Sequence, residues 1–351
     1  MSDAVKLVVG GREYAGWTSV SVTRSIESIA GRFRLSLTDR WPGQQSAWPI
    51  PPGAECSFSI GGETVLTGLV DMAAPRFDSA NHESAVTGRD RTGQMVDCSA
   101  NHSPGEWSGI RLNRLAAILA KPFGVTVTTA TDIGAAFETF KLQPGETAFE
   151  ALDRACRLRG VLPVADGQGG LVLTSTGKTR CSTALVQGEN VKSAALTNDT
   201  TDRYRKYIVR GSQPSSDFLD AEQASAVEAR ATDAGATAGR TLIILAESAV
   251  DIASARKRAQ WEATVRAARS VTVSVTVQGW RQGNGELWPV NSLVSVDLPY
   301  LRVSGDLLIS ELTHSLDESG GMQTELTLRR KDAFLPEPEK PVAADPWGDV
   351  G

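Results

Sequence analysis

Soft metal ligands are scarce in this sequence: 351 residues hold 3 histidines and 4 cysteines. His82, His102 and His314 stand far apart, with no HExxH or comparable spacing, so zinc-hydrolase chemistry is left without its ligands. Surface or loop positions are the simplest expectation for all three. Cys56, Cys98, Cys156 and Cys181 form no CxxC pair, which argues against zinc and redox sites. They read as buried or half-buried free thiols in a chain folded in a reducing compartment.

Basic excess is also missing. Lys and Arg number 36 against 41 Asp and Glu, a formal charge of −5 with a pI near 5.4. Stable nucleic-acid binding lacks the phosphate-neutralising surplus it needs. No segment approaches the roughly 18 apolar residues that span a bilayer, so no membrane insertion is expected. The start, Met1 to Lys6, has neither the basic residues nor the apolar core of a signal peptide, and the expectation is a soluble chain made in the cytoplasm. No GxSxG, Cys-His or P-loop pattern occurs.

What is present is ordinary globular material. Hydrophobic residues are 41% and charged residues 22%, enough to fill the cores of two or three domains. From Lys6 to Gly93 the chain alternates apolar and polar residues in short runs, as in Phe33-Arg34-Leu35-Ser36-Leu37 and Cys56-Ser57-Phe58-Ser59-Ile60. That period predicts half-buried antiparallel strands, with two-residue hairpin turns at Gly10-Gly11 and Gly61-Gly62.

Past Asn101 the period changes. Ile110 to Phe123 is spaced as a helix ended by Pro122, and Val125 to Thr129 follows as a strand. A second helix opens after Gln143-Pro144-Gly145-Glu146-Thr147, carries Phe149, Leu152, Ala155, Cys156 and Leu158 on one face, and stops at Gly160. Val161 to Thr174 reads as a hairpin. Strands return between Val186 and Gly211. The stretch Asp217 to Asp233 carries five acids against Arg230 alone and is expected to be a solvated loop or loosely helical flap. A helix from about Ala249 to Ala268 turns Ile252, Ala255, Ala259 and Val265 inward. Strands resume from Val271, and an extended Pro-rich tail begins at Pro336.

The first and last strand groups share a rhythm. Phe33–Leu37, Pro52, Cys56–Ile60 and Leu69-Val70-Asp71 correspond to Val273–Val277, Pro289, Leu293–Val296 and Ile309-Ser310-Glu311. Each closes on a basic-acidic cluster, at Arg89-Asp90 and at Arg329-Arg330-Lys331-Asp332. The predicted class is mainly β with α+β insertions: two similar small antiparallel β-barrel domains plus a small α+β module. The boundaries are 1–100 for the first barrel, 101–185 for the α+β module, and 186–213 with 270–335 for the second barrel. An acidic excursion and helix at 214–269 is inserted in it, and 336–351 is tail.

Several segments carry a family resemblance: Val9 to Tyr14 with Trp17, Gly88 to Gly93 through Val96 to Ala100, Leu142 to Leu152, Trp288 to Ser292, and Leu328 to Phe334. In order and spacing, from about Leu7 to Phe334, they resemble the baseplate hub proteins of Mu-like contractile-tailed bacteriophages. The broader group takes in other contractile-tail hubs and the hub portions of type VI secretion spikes. The resemblance implies a virion structural protein assembled in the host cytoplasm. It implies a homotrimeric ring adapting a sixfold tail tube to a trimeric membrane-piercing spike, contacting baseplate wedge proteins and lining the DNA exit channel. Three copies of a duplicated chain display six near-equivalent domains, although duplication by itself does not select the trimer.

The alternative is a tail-tip cell-wall-binding or peptidoglycan-degrading protein. Glycosidases need two carboxylates about 5 to 10 Å apart, and Asp71 with Glu83, or Glu146 with Glu150, are nameable pairs. Pro144 to Leu152 resembles the opening of LysM-type wall-binding modules, but Thr147 with Glu150 at the third position is equally a helix capping box. Trp41, Trp48, Trp107, Trp261, Trp280 and Trp288 read as core or interface anchors. Trp347, in the tail, is a candidate anchor to a partner. No catalytic, cofactor-binding or metal residue is assigned.

Overall fold

A computed structural model describes residues 3–38, 50–78, 82–211, 227–246 and 251–338. The first strands are β1 (Val5–Val9), β2 (Arg12–Tyr14), β3 (Ser19–Ser25), β4 (Arg32–Thr38), β5 (Glu55–Ile60), β6 (Glu63–Phe77) and β7 (His82–Asp90). They lie side by side in the order β3-β4-β7-β6-β5-β1-β2. Alternation places Leu7, Val20, Val22, Phe33, Leu35, Phe58, Ile60 and Val86 in one core, where the Phe33 and Phe58 rings stack with centroids 5.9 Å apart. Gly10 and Gly11, then Gly61 and Gly62, all take positive φ. Each pair is the two-residue turn anticipated, joining Val9 to Arg12 and Ile60 to Glu63.

Residues 93–174 supply α1 (Gly93–Asp97), β8 (Glu106–Ile110), α2 (Leu112–Ala120), β9 (Thr126–Thr129), β10 (Phe137–Lys141), α3 (Ala148–Leu158), β11 (Leu162–Ala165) and β12 (Gly170–Thr174). The two longer helices bury Leu112, Leu115, Leu119, Ala151, Leu152 and Ala155 together against Leu171 and Leu173. Ile110, read from its spacing as helical, ends strand β8 opposite Phe137 instead. Its apolar side chain meets the same core from a strand, which spacing alone does not distinguish.

Next come β13 (Thr179–Arg180), β14 (Leu185–Val186) and β15 (Val191–Asn198). Chain contacts then separate a second unit, residues 196–272 and 329–351, from the unit of 1–195 and 273–328. Within the second unit, β16 (Lys206–Gly211) lies between β17 (Val227–Thr232) and β18 (Thr241–Leu245), and α4 (Ile252–Arg269) follows. Val209, Val227 and Ala229 pack on Ala255 and Ala259.

Three sequence expectations change here. Lys206–Gly211 pairs with β17 and β18, not with the strands of the second barrel; alternation announces a strand but not its neighbour. The described part of the acidic stretch is strand β17, because Glu228 lies between Arg210 and Arg230 and Asp233 is gripped by Arg203 at 2.6 and 2.9 Å. Asp217, Asp220 and Glu222 fall outside the described residues. In α4, Ala255, Ala259 and Val265 are inward as expected, but Ile252 at its first position is about half exposed, at 47%.

The last strands are β19 (Val271–Gln278), β20 (Ser292–Leu298), β21 (Val303–Asp317) and β22 (Gly321–Arg329). Their order, β19-β22-β21 with β20 on the other edge of β21, repeats β4-β7-β6 with β5 on the other edge of β6. Lengths repeat too: β6 and β21 each have 15 residues, β7 and β22 each have 9. β15 flanks β19 as β3 flanks β4. The class is mainly β, and both copies belong to one 14-stranded sheet.

Candidate functional site

The feature that organises the first unit is the seam between the two copies. The N-terminal part of β21 pairs with β20 over Val303–Leu308. The rest of the same strand pairs with β3, from Glu311 opposite Ser25 to Leu316 opposite Val20. A 15-residue strand is long enough to serve two partners in succession. Ile26 donates its backbone N–H to Ser310 O at 2.9 Å, and the Thr23 and Thr313 hydroxyls meet at 2.9 Å. The seam is buried: Ile309, Ser310, Leu312 and His314 are all at or below 2% exposure.

Polar groups at this seam are held by specific partners. Arg24, on β3, donates to Ala165 O at 2.8 Å; burial pushes its guanidinium down from its ordinary value while Asp90 and Asp166 hold it up. Asp90 accepts from the backbone of Gly31 at 2.6 Å and of Thr92 at 2.9 Å. Desolvation still pushes it up to about 6 against those donors. His314, expected at a surface or loop, is buried on β21 and pushed down to about 3 by desolvation, then by Arg24 and Arg281. It sits 2.9 Å from Thr324 Oγ1, and that hydroxyl donates to Gly279 O at 2.7 Å. With its hydrogen so committed, Thr324 accepts from an Nδ1–H tautomer of neutral His314.

The other nominated residues are dispersed. Asp71 is bound by Arg89 at 2.8 Å, and Arg89 also holds Asp97; Glu83 is bound by Arg76 at 2.9 Å. Glu146 accepts from Arg154 at 2.8 Å, and Glu150 closes the capping box on Thr147, giving and receiving bonds of 3.1 and 2.7 Å. Each carboxylate of the two nominated pairs is thus engaged by its own donor. A pocket of ≈ 220 Å³ beside α1 to α3 is lined by Cys98, Ser99, His102, Ile118 and Phe123 among others, with no carboxylate in the lining.

Cys56, Cys156 and Cys181 are buried, and burial pushes the Cys56 thiol up to about 12 and the Cys181 thiol up to about 11. Cys98 departs from expectation in being exposed, because it caps the short α1 at its surface. His102 is exposed and tilted against Trp107, with ring centroids 5.0 Å apart. Among the described residues no group of three His, Cys, Asp or Glu could hold a metal ion, and no helix is long and apolar enough to cross a membrane. Trp280 and Trp288 are core residues, and Trp261 Nε1 donates to Leu335 O at 3.0 Å. Trp41, Trp48 and Trp347 lie outside the described residues, as do the last tail residues from 339 on; the side chain of His82 is likewise not described.

Fold and seam together define a class: a β-rich protein in which one module occurs twice and one long strand is shared between the copies. The family described as Mu phage baseplate assembly protein GpP-like, N-terminal, matches residues 4–90. Baseplate hub protein gp44-like, second domain, matches 92–175, and Mu phage baseplate assembly protein GpP, fourth domain, matches 251–337. Baseplate hub protein gp44 of Escherichia phage Mu is 36% identical over 343 residues, 95% of this chain and 90% of that one. The 43 kDa tail protein of prophage MuSo2 from Shewanella oneidensis superposes with a TM-score of 0.85 at 34% identity, covering 95% of this chain and 99% of that one. A tail protein from Neisseria meningitidis MC58 shares the fold at a TM-score of 0.81 and 22% identity, over 96% and 99% of the two chains. The chain belongs to the family of the Mu-like phage baseplate hub proteins.

Proposed function

We propose that the protein is the structural baseplate hub of a contractile tail, a homotrimeric ring joining the sixfold tail tube to the threefold spike and lining the channel through which DNA leaves. The observation that supports this reading best is the repeated strand order, β4-β7-β6-β5 against β19-β22-β21-β20. Three chains around an axis then present six like modules to a six-membered tube and a true threefold to a spike. On this reading the ring is made from the first barrel, about residues 1–100, and from the second-barrel strands. The module of 101–185 is left for baseplate wedge or spike contacts. Its role is mechanical and carries no catalytic, cofactor or metal residue, and the particle is a virion tail assembled in the host cytoplasm.

Light scattering on the purified chain is expected to give three times the monomer mass, and electron micrographs down the axis a hollow annulus with sixfold appearance. A monodisperse monomer at tens of micromolar would remove the adaptor reading. Release of soluble fragments from peptidoglycan would replace it with the wall-degrading one.

A further inference from the structure

The ≈ 220 Å³ pocket of the α+β module has no part in the hub reading. One side of its lining is apolar: Ile118 and Leu119 near the end of α2, Pro122 and Phe123 in the turn after it, and Ala148 at the start of α3. The other side is the segment Cys98 to His102. Backbone bonds fix the first part of that segment, since Ala148 N–H donates to Cys98 O at 3.0 Å and Ala100 N–H to Glu146 O at 2.8 Å. Beyond Ala100 the pairing ends, and Asn101 and His102 are exposed. Among the described residues neither the Asn101 side-chain amide nor the His102 ring has a hydrogen-bond partner. Ser99 Oγ donates only to Gly145 O, at 3.5 Å, the outer limit of such a bond. A fixed apolar hollow with a few uncommitted donors and acceptors at its edge is the usual make-up of a small-ligand site.

An aromatic platform adjoins the hollow. The His102 ring lies against half-buried Trp107 with centroids 5.0 Å apart, and Trp107 is backed by Phe140 at 6.5 Å. The Trp107 indole N–H also lacks a partner among the described residues. Charge narrows the ligand. No Lys, Arg, Asp or Glu lines the pocket, and Glu106 and Lys141, which flank the platform, answer each other at 3.8 Å. An anionic polymer would find no free cation in the lining to replace its counterions. An apolar side chain of a partner protein would fill the hollow but leave the Asn101 amide and the His102 ring desolvated and unpaired. The ligand that suits every part is neutral, with a methyl group for the hollow, amide and hydroxyl groups for its polar edge, and a C–H face for the indole. N-acetylated hexosamines, the sugars of bacterial cell walls, have this chemistry.

We propose that the α+β module binds N-acetylhexosamine glycan. The acetamido methyl enters the hollow between Leu119, Phe123 and Ala148, the acetamido N–H and C=O meet His102 and Asn101, and a pyranose ring lies against Trp107. The site is complete within one chain, so it stands whether the protein is a monomer or a trimer and adds a ligand to the module without altering the ring reading.

Cys98 supplies a local probe, because it lines the pocket and is exposed while the other three cysteines are buried. In the full chain, chitotetraose, the tetramer of N-acetylglucosamine, should slow alkylation of Cys98 by N-ethylmaleimide in a saturable way, and calorimetry should give the same dissociation constant. Cellotetraose, with hydroxyls in place of the acetamido groups, should bind about tenfold more weakly or worse. Asn101→Ala combined with His102→Ala should raise the dissociation constant for chitotetraose about tenfold. Both side chains are exposed, so the variant should keep the dichroism spectrum of the unaltered chain; if it does not, protection of Cys98 in the unaltered chain decides alone. Absence of protection at about 10 mM chitotetraose, equal protection by cellotetraose, or unchanged affinity in the folded double variant overturns the proposal. Protection of Cys98 by another baseplate protein but not by the sugar overturns it as well and reassigns the pocket to a protein partner.

Discussion

At the residue scale, the segment Gly88 to Gly93 shows why particular residues stand where they do. A Cβ at Gly88 would lie 2.5 Å from the Phe33 ring and 2.4 Å from Leu69 O, and one at Gly68 would lie 2.0 Å from Arg89 O. Neither backbone contact can yield without opening the β6·β7 ladder. Gly88→Ala should therefore lower stability by about 1–3 kcal/mol or more, measurable as a fall in thermal midpoint, while Gly109→Ala, with open space around it, tests only the positive-φ cost.

Asp90 and His314 make opposite pH predictions. His314 has its folded pKa depressed from 6.5 to about 3, so its contribution is complete above 6.5 and is lost as pH falls below that, at no more than about 1.4 kcal/mol per pH unit. Asp90 has its folded pKa raised from 3.8 to about 6, so its contribution is complete below 3.8 and is lost as pH rises through 6. Between pH 4 and 6 the two slopes oppose each other. Asp90→Asn should steepen the loss of stability on acidification, and His314→Gln should flatten or invert it, in denaturant titrations at each pH. Asp90→Asn also leaves one of the Gly31 and Thr92 amides without its carboxylate oxygen, at a cost of about 1–3 kcal/mol. The same slope in both variants as in the wild type would contradict the assignment. None of this was legible in the sequence, where His314 reads as a surface or loop residue; the pairing with β3 comes from residues as far as 290 positions away, as between Thr23 and Thr313.

At the element scale, legibility followed the range of the forces involved. The glycine turns and the capping box depend on residues within three or four positions, and both were readable. Thr147 Oγ1 accepts from Glu150 N–H at 3.1 Å, so Thr147→Ala should cost about 1 kcal/mol, and Thr147→Ser should restore most of it, read by chemical denaturation. Helix α4 was readable for its small inward face but not for Glu262, which is buried between Arg258 at 2.9 Å and Arg266 at 2.7 Å. The i and i+4 spacing announces such pairs; that the acid is also buried depends on what packs over it. Strand identity was mostly right, and so were partners joined by a short turn; a partner reached across a long connection was not. Lys206–Gly211 has the alternation of any barrel strand, and only β17 and β18, separated from it by sequence of another texture, decide its sheet.

At the scale of the whole molecule, the duplication was legible because it is written in order and length rather than in identical residues. The proposed ring reading makes a prediction about DNA. If the protein lines an exit channel, its wall should lack the phosphate contacts that make binding salt-sensitive. The chain carries a net charge of −5, and the arginines of the paired strands β6 and β7 are engaged by acids: Arg89 by Asp71 and Asp97, Arg76 by Glu83. Duplex DNA mixed with the purified protein at 50 mM salt is therefore expected to migrate unshifted in a gel. Charge reversal at Asp71 and Asp97 to Lys, which frees Arg89 and adds two cations per copy, should produce binding that weakens steeply as salt rises. Tight, salt-dependent binding by the unaltered protein would mean that its exposed basic side chains converge on one face, and the chain would then be a DNA-holding component of the tail rather than a passive conduit.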